Sequence, residues 1–140
     1  MKKIVFVCLG NICRSPMAEF VMKSLTDQLK IESRATSSWE HGNPIHRGTQ
    51  AIFKKYAIAY DRDKTSQQIS PADFADFDYI IGMDESNVRD LKRMAPKDFQ
   101  HKIYQFEEES VPDPWYTGDF DQTYDLVLAG CKKWLERLDG

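Results

Sequence analysis

The chain has 140 residues, 41% of them hydrophobic, which is enough for one globular domain with a substantial core. Its formal net charge is −3, from 19 basic and 22 acidic residues, and the basic residues are dispersed. This composition gives no reason to expect nucleic acid or an anionic membrane as a partner. The odd number of cysteines, three, argues against a disulfide framework. No metal site is expected, because Cys8 and Cys13 lack a second pair of ligands.

The N-terminal residues faintly resemble a signal peptide, with two lysines followed by an apolar run over residues 4–9. That run is too short and gives way to polar residues, so we reject the signal-peptide interpretation. No stretch of the sequence approaches the length of a membrane span. We therefore expect a cytoplasmic protein without membrane insertion.

The first predicted elements are a strand, a tight loop and a helix. The apolar residues 4–7 lead to Cys8, and a five-residue loop separates Cys8 from Arg14. Ser15 is predicted to be the helix N-cap, with Pro16 as the first helical residue. Apolar residues at helical spacing then predict one buried helix face, formed by Met17, Phe20, Val21, Leu25 and Leu29.

A strand, loop and helix of this kind predict an anion-binding site. Backbone N–H groups of the loop and first helical turn favour negative charge, as does the helix dipole. Arg14 adds a planar guanidinium that can bind two phosphate oxygens, and the same surroundings favour the thiolate form of Cys8. The alternative is a buried cysteine at the end of a core strand, followed by an ordinary surface arginine. That alternative gives no reason for Gly10, Asn11 and the Ser-Pro pair.

The middle of the chain continues the alternation of strands and helices. We predict a short strand over residues 33–39, with Trp39 as a partly exposed pocket wall, and a loop over residues 40–47. Helical spacing follows over residues 48–60, with its buried side formed by Ile52, Phe53 and Tyr56. Residues 61–68 are polar and predicted to be irregular.

The second half of the chain shows the same alternation. The predicted elements are a capped helix over residues 70–77, a buried strand over 79–83, a helix from Asp84 to Pro96, a strand over 102–106 and a long helix from about Asp121. Such alternation predicts a parallel sheet covered on both faces, with ligands at the carboxyl ends of its strands. We therefore expect one domain over residues 1–140: an α/β fold with a four-stranded, twisted parallel sheet and helices on both faces. The phosphate-binding loop should lie between the first strand and the first helix.

A candidate second catalytic group precedes the last helix. Attack on a phosphate ester by a thiolate leaves an alkoxide or phenoxide that needs a proton, and a well-placed acid contributes about 10²–10⁴-fold. Asp113 lies between two prolines that restrict its backbone, and Trp115 and Tyr116 could bind a flat leaving group. These residues alone leave open whether this is an acid-bearing loop or a Pro-rich surface turn.

The stretch V-C-L-G-N-I-C-R-S-P-M-A-E, from Val7 to Glu19, resembles the active-site loop of the low-molecular-weight protein tyrosine phosphatases, whose pattern is C-x5-R-S. The run F-D-Y-I-I-G-M-D-E-S-N, which ends at Asn87, is also similar to that family. The resemblance implies that Cys8 is the nucleophile and that Arg14 binds the phosphate. The rest of the implied phosphate-binding loop comprises Leu9, Gly10, Asn11, Ile12, Cys13 and Ser15.

The same resemblance assigns roles further along the chain. The stretch D-P-W-Y that begins at Asp113 is similar to the family's acid motif, which implies that Asp113 is the general acid and base. Trp39, Trp115 and Tyr116 are implied to shape the substrate cleft. By their own chemistry, Asn11 can hydrogen-bond within the tight loop and Ser15 can donate to the Cys8 thiolate, so both are expected to support the loop. Ser33 is a further candidate for that polar network. The chain departs from the family pattern at Lys64 and Gln67, where histidine and arginine are common, and this departure is expected to alter the surface near the cleft.

The function implied by the resemblance is hydrolysis of protein phosphotyrosine and small aryl phosphates through a phosphocysteine, without a metal or other cofactor. Phosphate-like anions should inhibit. Three alternatives remain: a protein-arginine phosphatase of the same fold, an arsenate reductase, and a phosphate-binding module without catalysis. Related arginine phosphatases resemble this loop with threonine in place of Ile12. The arsenate reductases need two further cysteines, in the region of Gly82 and Arg89, that this chain lacks.

Overall fold

The computed structural model describes residues 1–139, in which strands and helices alternate along the chain. The strands are β1 (Lys2–Cys8), β2 (Leu29–Ala35), β3 (Tyr79–Gly82) and β4 (Ile103–Gln105). The helices are α1 (Arg14–Leu25), α2 (Arg47–Lys55), α3 (Pro71–Asp76), α4 (Glu85–Met94), α5 (Pro114–Thr117) and α6 (Phe120–Asp139), with a 3-10 helix at Lys97–Lys102. Among the described helices, none combines the length and the apolar character that crossing a membrane requires.

The strands form one parallel sheet in the order β2-β1-β3-β4, which confirms the predicted four-stranded sheet. Strand β1 is central: Cys8 pairs with Ala35 of β2, and Val7 pairs with Gly82 of β3. The carboxyl ends of the strands therefore meet at one edge, and the predicted phosphate-binding loop leaves the sheet there, between β1 and α1.

Both faces of the sheet are covered, because alternate side chains of β1 enter two different cores. Ile4 and Phe6 pack on one side with the apolar residues of α1, α2 and α6. Val5 and Val7 pack on the other side with residues of α3 and α4. Successive side chains of a strand point to opposite faces of the sheet, so a strand that is covered on both faces has a continuous apolar sequence.

The first helix differs in two ways from its prediction. It begins at Arg14 with Cys13 as N-cap, so Ser15 lies inside the helix and its hydroxyl bonds to Cys8 and Asn11 instead of capping. The helix ends at Leu25, and Leu29 belongs to β2. The predicted bounds of the second strand were also wrong, since β2 ends at Ala35 and Trp39 follows it.

The second helix is shorter than predicted, and Tyr56 lies outside it. Helix α2 ends at Lys55 because Ala57 adopts a left-handed backbone (φ 55°) and the N–H of Ile58 donates to the carbonyl of Phe53. Tyr56 is 40% exposed instead of buried. Its ring nevertheless stacks on Tyr124 of α6, with 4.0 Å between ring centroids, which explains why an aromatic residue occurs there.

Candidate active site

The Cys8 sulfur lies at the centre of the loop between β1 and α1. The backbone N–H groups of Asn11 and Ser15 donate to Sγ at 3.2 and 3.4 Å, and the Ser15 hydroxyl lies 3.0 Å from it. Asn11 can turn its N–H inward because it adopts a left-handed backbone, with φ 57°, a conformation that Asn tolerates better than most residues. Three polar groups thus converge on one sulfur and stabilise negative charge there.

The buried side-chain amide of Asn11 links the loop to neighbouring segments through hydrogen bonds. Its Nδ2 donates to the hydroxyls of Ser15 and Ser33, each at 2.9 Å. Its Oδ1 accepts from the backbone N–H of Gln67 and from Lys64 Nζ, each at 3.1 Å. The Lys64 side chain therefore supports Asn11, whereas Gln67 contributes only its backbone N–H and its side chain is exposed. Burial lowers the pKa of the Lys64 ammonium.

The buried carboxylate of Glu19 fixes the direction of this hydrogen-bond chain. Ser33 donates to Glu19 Oε1 at 2.6 Å, because a carboxylate can only accept, and the Ser33 oxygen then accepts from Asn11. The Ser15 oxygen likewise accepts from Asn11, so the Ser15 proton has two acceptors within reach, the Cys8 sulfur at 3.0 Å and the Arg34 carbonyl at 3.4 Å, of which the sulfur is nearer. The polar network thus ends with a donor that faces the Cys8 sulfur.

The Arg14 guanidinium is buried and bound on two sides. Its Nη1 donates to Asp84 Oδ2 at 2.6 Å and to the Val111 carbonyl at 2.9 Å, and its Nη2 lies 3.4 Å from Asp113 Oδ2. Burial by itself would lower the pKa of Arg14, but the Cys8 sulfur and the two carboxylates outweigh that effect and raise it. The guanidinium is therefore a permanent positive charge beside Cys8.

Asp113 is the N-cap of the short helix α5. Its Oδ1 accepts from the backbone N–H of Trp115 at 3.0 Å, and its Oδ2 faces Arg14. The carboxyl side chain is 21% exposed and lies at the wall of the same cleft as Cys8. The cap holds the side chain by Oδ1, while Oδ2 makes a long contact of 3.4 Å with Arg14 at the wall of the cleft.

These groups share one cleft with most of the predicted loop and substrate-binding residues. The predicted residues that line it are Cys8, Leu9, Gly10, Ile12, Cys13, Arg14, Trp39, Asp113, Trp115 and Tyr116. Three aromatic rings form its exposed part: Trp39 and Tyr116 are each 78% exposed, and Trp115 is 56% exposed. The other two predicted loop residues, Asn11 and Ser15, are buried and do not line the cleft.

The other two cysteines differ from Cys8 in their surroundings. Burial, together with the nearby Cys8 and Asp113, raises the pKa of the Cys13 thiol, and burial alone raises that of Cys131. Cys131 lies on the buried face of α6, at helical spacing from the buried Val127 and Trp134. Neither thiol has the converging donors that surround Cys8, so Cys8 is the best-placed nucleophile of the three. Within residues 1–138, no three His, Cys, Asp or Glu side chains are grouped so as to hold a metal ion.

Sequence reasoning missed several residues of the site. Asp84 is not among the predicted site residues, although it follows β3 and therefore lies at the carboxyl edge of the sheet, where it binds Arg14. Glu19 and Glu40 received no role, yet Glu19 ends the polar network and Glu40 lines the cleft. His46 is not among the predicted site residues either; its ring packs between two aromatic side chains, whereas His41 and His101 are exposed.

The chain is similar in sequence and in fold to several named phosphatases. It is 46% identical to the low molecular weight protein-tyrosine-phosphatase PtpA of Staphylococcus aureus, over 94% of this chain and 90% of that protein. SP-PTP, a low molecular weight protein tyrosine phosphatase from Streptococcus pyogenes, has a crystal structure that superposes with a TM-score of 0.97 at 64% identity, covering 99% of this chain and 93% of that one. The Drosophila arginine phosphatase DARP superposes with a TM-score of 0.89 at 31% identity, covering 100% of this chain and 99% of that one. Residues 3–140 match the family described as low molecular weight phosphotyrosine protein phosphatase, and the chain belongs to that family.

Proposed function

We propose that this protein hydrolyses phosphotyrosine in proteins, and small aryl phosphates, through a phosphocysteine intermediate. In this proposal Cys8 is the nucleophile, Arg14 binds the phosphoryl group and Asp113 is the general acid and base. The observation that supports it most directly is that these three side chains line a single cleft at the carboxyl edge of the sheet. We further propose that residues 1–140 form one phosphatase domain.

A phosphate dianion complements the polar groups of this cleft. Arg14 Nε is buried and has no hydrogen-bond partner among the described residues, although its Nη atoms are bound. A buried donor without an acceptor is costly, and a phosphate oxygen would supply the missing acceptor. The positive end of α1 lies at the same loop and favours the same charge. Phosphate-like anions should therefore compete with substrate.

In the first step, the Cys8 thiolate attacks phosphorus and the bond from phosphorus to the ester oxygen breaks. The departing oxygen takes a proton from the Asp113 carboxyl, which leaves a free alcohol or phenol and a carboxylate. Arg14 and the loop N–H groups stabilise the charge on the transferring phosphoryl oxygens. In the second step, Asp113 as carboxylate removes a proton from water, which attacks the phosphocysteine and releases phosphate and the thiolate. Ser15 stabilises that thiolate leaving group.

The walls of the cleft support an aryl substrate. Trp39, Trp115 and Tyr116 offer flat apolar surfaces, and each aromatic contact with a phenyl ring contributes about 0.5–1.5 kcal/mol beyond its burial. Ile12 adds an apolar surface within the loop. A phosphoserine side chain is too short to carry its peptide clear of such walls.

A protein-arginine phosphatase is the second candidate, because the arginine phosphatase DARP shares this fold. In addition, the proposed catalytic groups recognise only the phosphoryl group and not the side chain that carries it. The test is to compare kcat/KM on peptides that carry phosphotyrosine, phosphoserine or phosphoarginine, with Cys8→Ser as the blank. We expect phosphotyrosine to exceed each of the others by at least about tenfold. An enzyme faster on phosphoarginine would overturn the substrate assignment and leave the catalytic residues in place.

A further inference from the structure

His46 joins the phosphate-binding loop to the segment that carries Asp113. It lies at the N-cap of α2, and its backbone N–H donates to the carbonyl of Ile12 at 2.9 Å. Its Nδ1 accepts from the N–H of Gly48 at 3.0 Å, so that nitrogen carries no proton. The residue is therefore attached to the phosphate-binding loop through its backbone, and its ring is held in one orientation.

The ring of His46 packs against two aromatic side chains from the other side of the cleft. It stacks on Phe120, with 5.2 Å between ring centroids and 15° between ring planes, and meets the edge of Trp115 at 5.6 Å. A Cβ atom on Gly48 would collide with the Phe120 ring, so glycine at this position permits the stack. Trp115 lies in α5 and Phe120 begins α6, which places His46 against both ends of the acid-bearing segment.

The segment over residues 114–119 has few other attachments. Among the described residues, its hydrogen bonds all remain within residues 113–123. Asp113 itself reaches Arg14 at 3.4 Å, a long contact, and the buried ring of Pro114 adds apolar packing. Upstream of Asp113, the backbone of Val111 is held by the Met83 carbonyl and by Arg14. Downstream of Asp113, the two aromatic contacts on His46 join this segment to the N-terminus of α2.

We propose that His46 is a positioning residue for the reaction: its imidazole ring, held between Phe120 and Trp115, sets the position of Asp113 relative to Cys8. The proposal rests on the proposed function, in which Asp113 protonates the leaving group. His46 acts through Trp115, whose backbone N–H donates to Asp113 Oδ1, and it is not among the residues that line the cleft. Losing the ring would displace the acid while leaving the phosphate site intact.

The test uses a variant that keeps the helix cap and removes the ring. Asn is a favoured N-cap residue, so His46→Asn retains an acceptor for the Gly48 N–H without the aromatic contacts. We expect kcat/KM on phosphotyrosine to fall about tenfold, a part of the full effect of a general acid. An aryl phosphate with a very acidic leaving group, such as dinitrophenyl phosphate, should change less than about twofold, because it needs little protonation. His101→Asn is the matched control, since His101 is exposed near the amino ends of the strands, and should behave as wild type.

The effect should also disappear when Asp113 is absent. In an Asp113→Ala background, adding His46→Asn should cause no further loss on phosphotyrosine, because the two changes remove one function. Equal losses on both esters, or a full His46→Asn effect in the Asp113→Ala background, would overturn the proposal.

A second pair of variants tests the proposal if His46→Asn does not fold. His46→Phe and His46→Leu both lack the Nδ1 acceptor, and we expect His46→Phe alone to keep the wild-type leaving-group dependence. Equal behaviour of those two variants would also overturn it. Failure of the proposed function looks different, because Asp113→Ala would then lack a leaving-group effect.

Discussion

Arg14 and Asp84 form an ion pair at the carboxyl edge of the sheet, with 2.6 Å between Nη1 and Oδ2. The Arg14 side chain is 3% exposed and that of Asp84 is 20% exposed. The other oxygen of Asp84 caps α4 by accepting from the N–H of Asn87 at 2.7 Å. One carboxylate therefore caps a helix and also orients the guanidinium that we assign to phosphate binding.

Asp84→Asn should lower both stability and activity. Asn retains the helix cap but removes the negative charge that orients Arg14. We expect the free energy of unfolding in urea to fall by about 1.5–3 kcal/mol, the range for a hydrogen bond to a charged group, and kcat/KM to fall about tenfold. Asp90→Asn is the control, because Asp90 forms a surface ion pair with Arg93 on the same helix and should matter little. Unchanged activity of Asp84→Asn would show that Arg14 needs no such support.

Cys8→Ser should abolish turnover and still bind phosphate-like anions. A serine hydroxyl is not ionised near neutral pH and is a poor nucleophile, whereas Arg14 and the loop N–H groups remain. The measurements are hydrolysis of an aryl phosphate and the rise in melting temperature caused by added phosphate. Arg14→Ala should lose both the activity and this stabilisation. Retention of a tenth of wild-type activity by Cys8→Ser would show that Cys8 is not the nucleophile.

Asp113→Ala should slow hydrolysis of phosphotyrosine far more than that of an ester with a very acidic leaving group. Loss of a general acid costs about 10²–10⁴-fold when the leaving oxygen needs a proton. The comparison is made on kcat/KM, which includes the first phosphoryl transfer and not the hydrolysis of the intermediate. Equal losses on the two esters would remove Asp113 from the acid role.

The parts of the fold that were predictable from sequence are those set by local patterns. The capping box of α3 was predictable because Ser70 and Asp73 lie three residues apart. In the structure, each of the two side chains accepts from the other residue's backbone N–H. The buried face of α6 was readable because Val127, Cys131 and Trp134 follow the helical period. The loop from Cys8 to Arg14 belongs to the same class, since its chemistry lies within seven consecutive residues.

The parts that were not predictable depend on contacts between distant segments. Asp84 is 70 residues from Arg14, and Lys64 is 53 residues from Asn11. Neither pairing follows from periodicity or capping, because both require the packing of the complete sheet. The predicted ends of α1 and α2 were wrong for a related reason. Leu29 and Tyr56 contact the core from outside the helices, and apolar spacing does not distinguish such residues from residues inside a helix.

Mild oxidation should inactivate the protein reversibly through a bond between Cys8 and Cys13. A sulfenic acid formed at Cys8 by peroxide can condense with the Cys13 thiol, which gives a disulfide and water. Attack requires the Cys13 thiolate, and burial raises the pKa of that thiol, so we expect the link to form faster as the pH rises from about 6 to about 9. Mass spectrometry should detect the link after peroxide treatment. A Cys13→Ser variant that recovers equally well with added thiol would contradict this prediction.

Ile12→Thr should narrow the preference for aryl phosphates over phosphoarginine. Ile12 lines the cleft beside the reacting centre and offers no hydrogen bond, whereas a phosphoguanidinium needs a polar partner for its N–H groups. The wild type should therefore favour phosphotyrosine by at least about tenfold in kcat/KM, equivalent to about 1.4 kcal/mol, and the threonine hydroxyl should reduce that ratio. Ile12→Val, which stays apolar, is the matched control and should keep the wild-type ratio. If Val and Thr change the ratio equally, cleft volume and not polarity at residue 12 sets the preference.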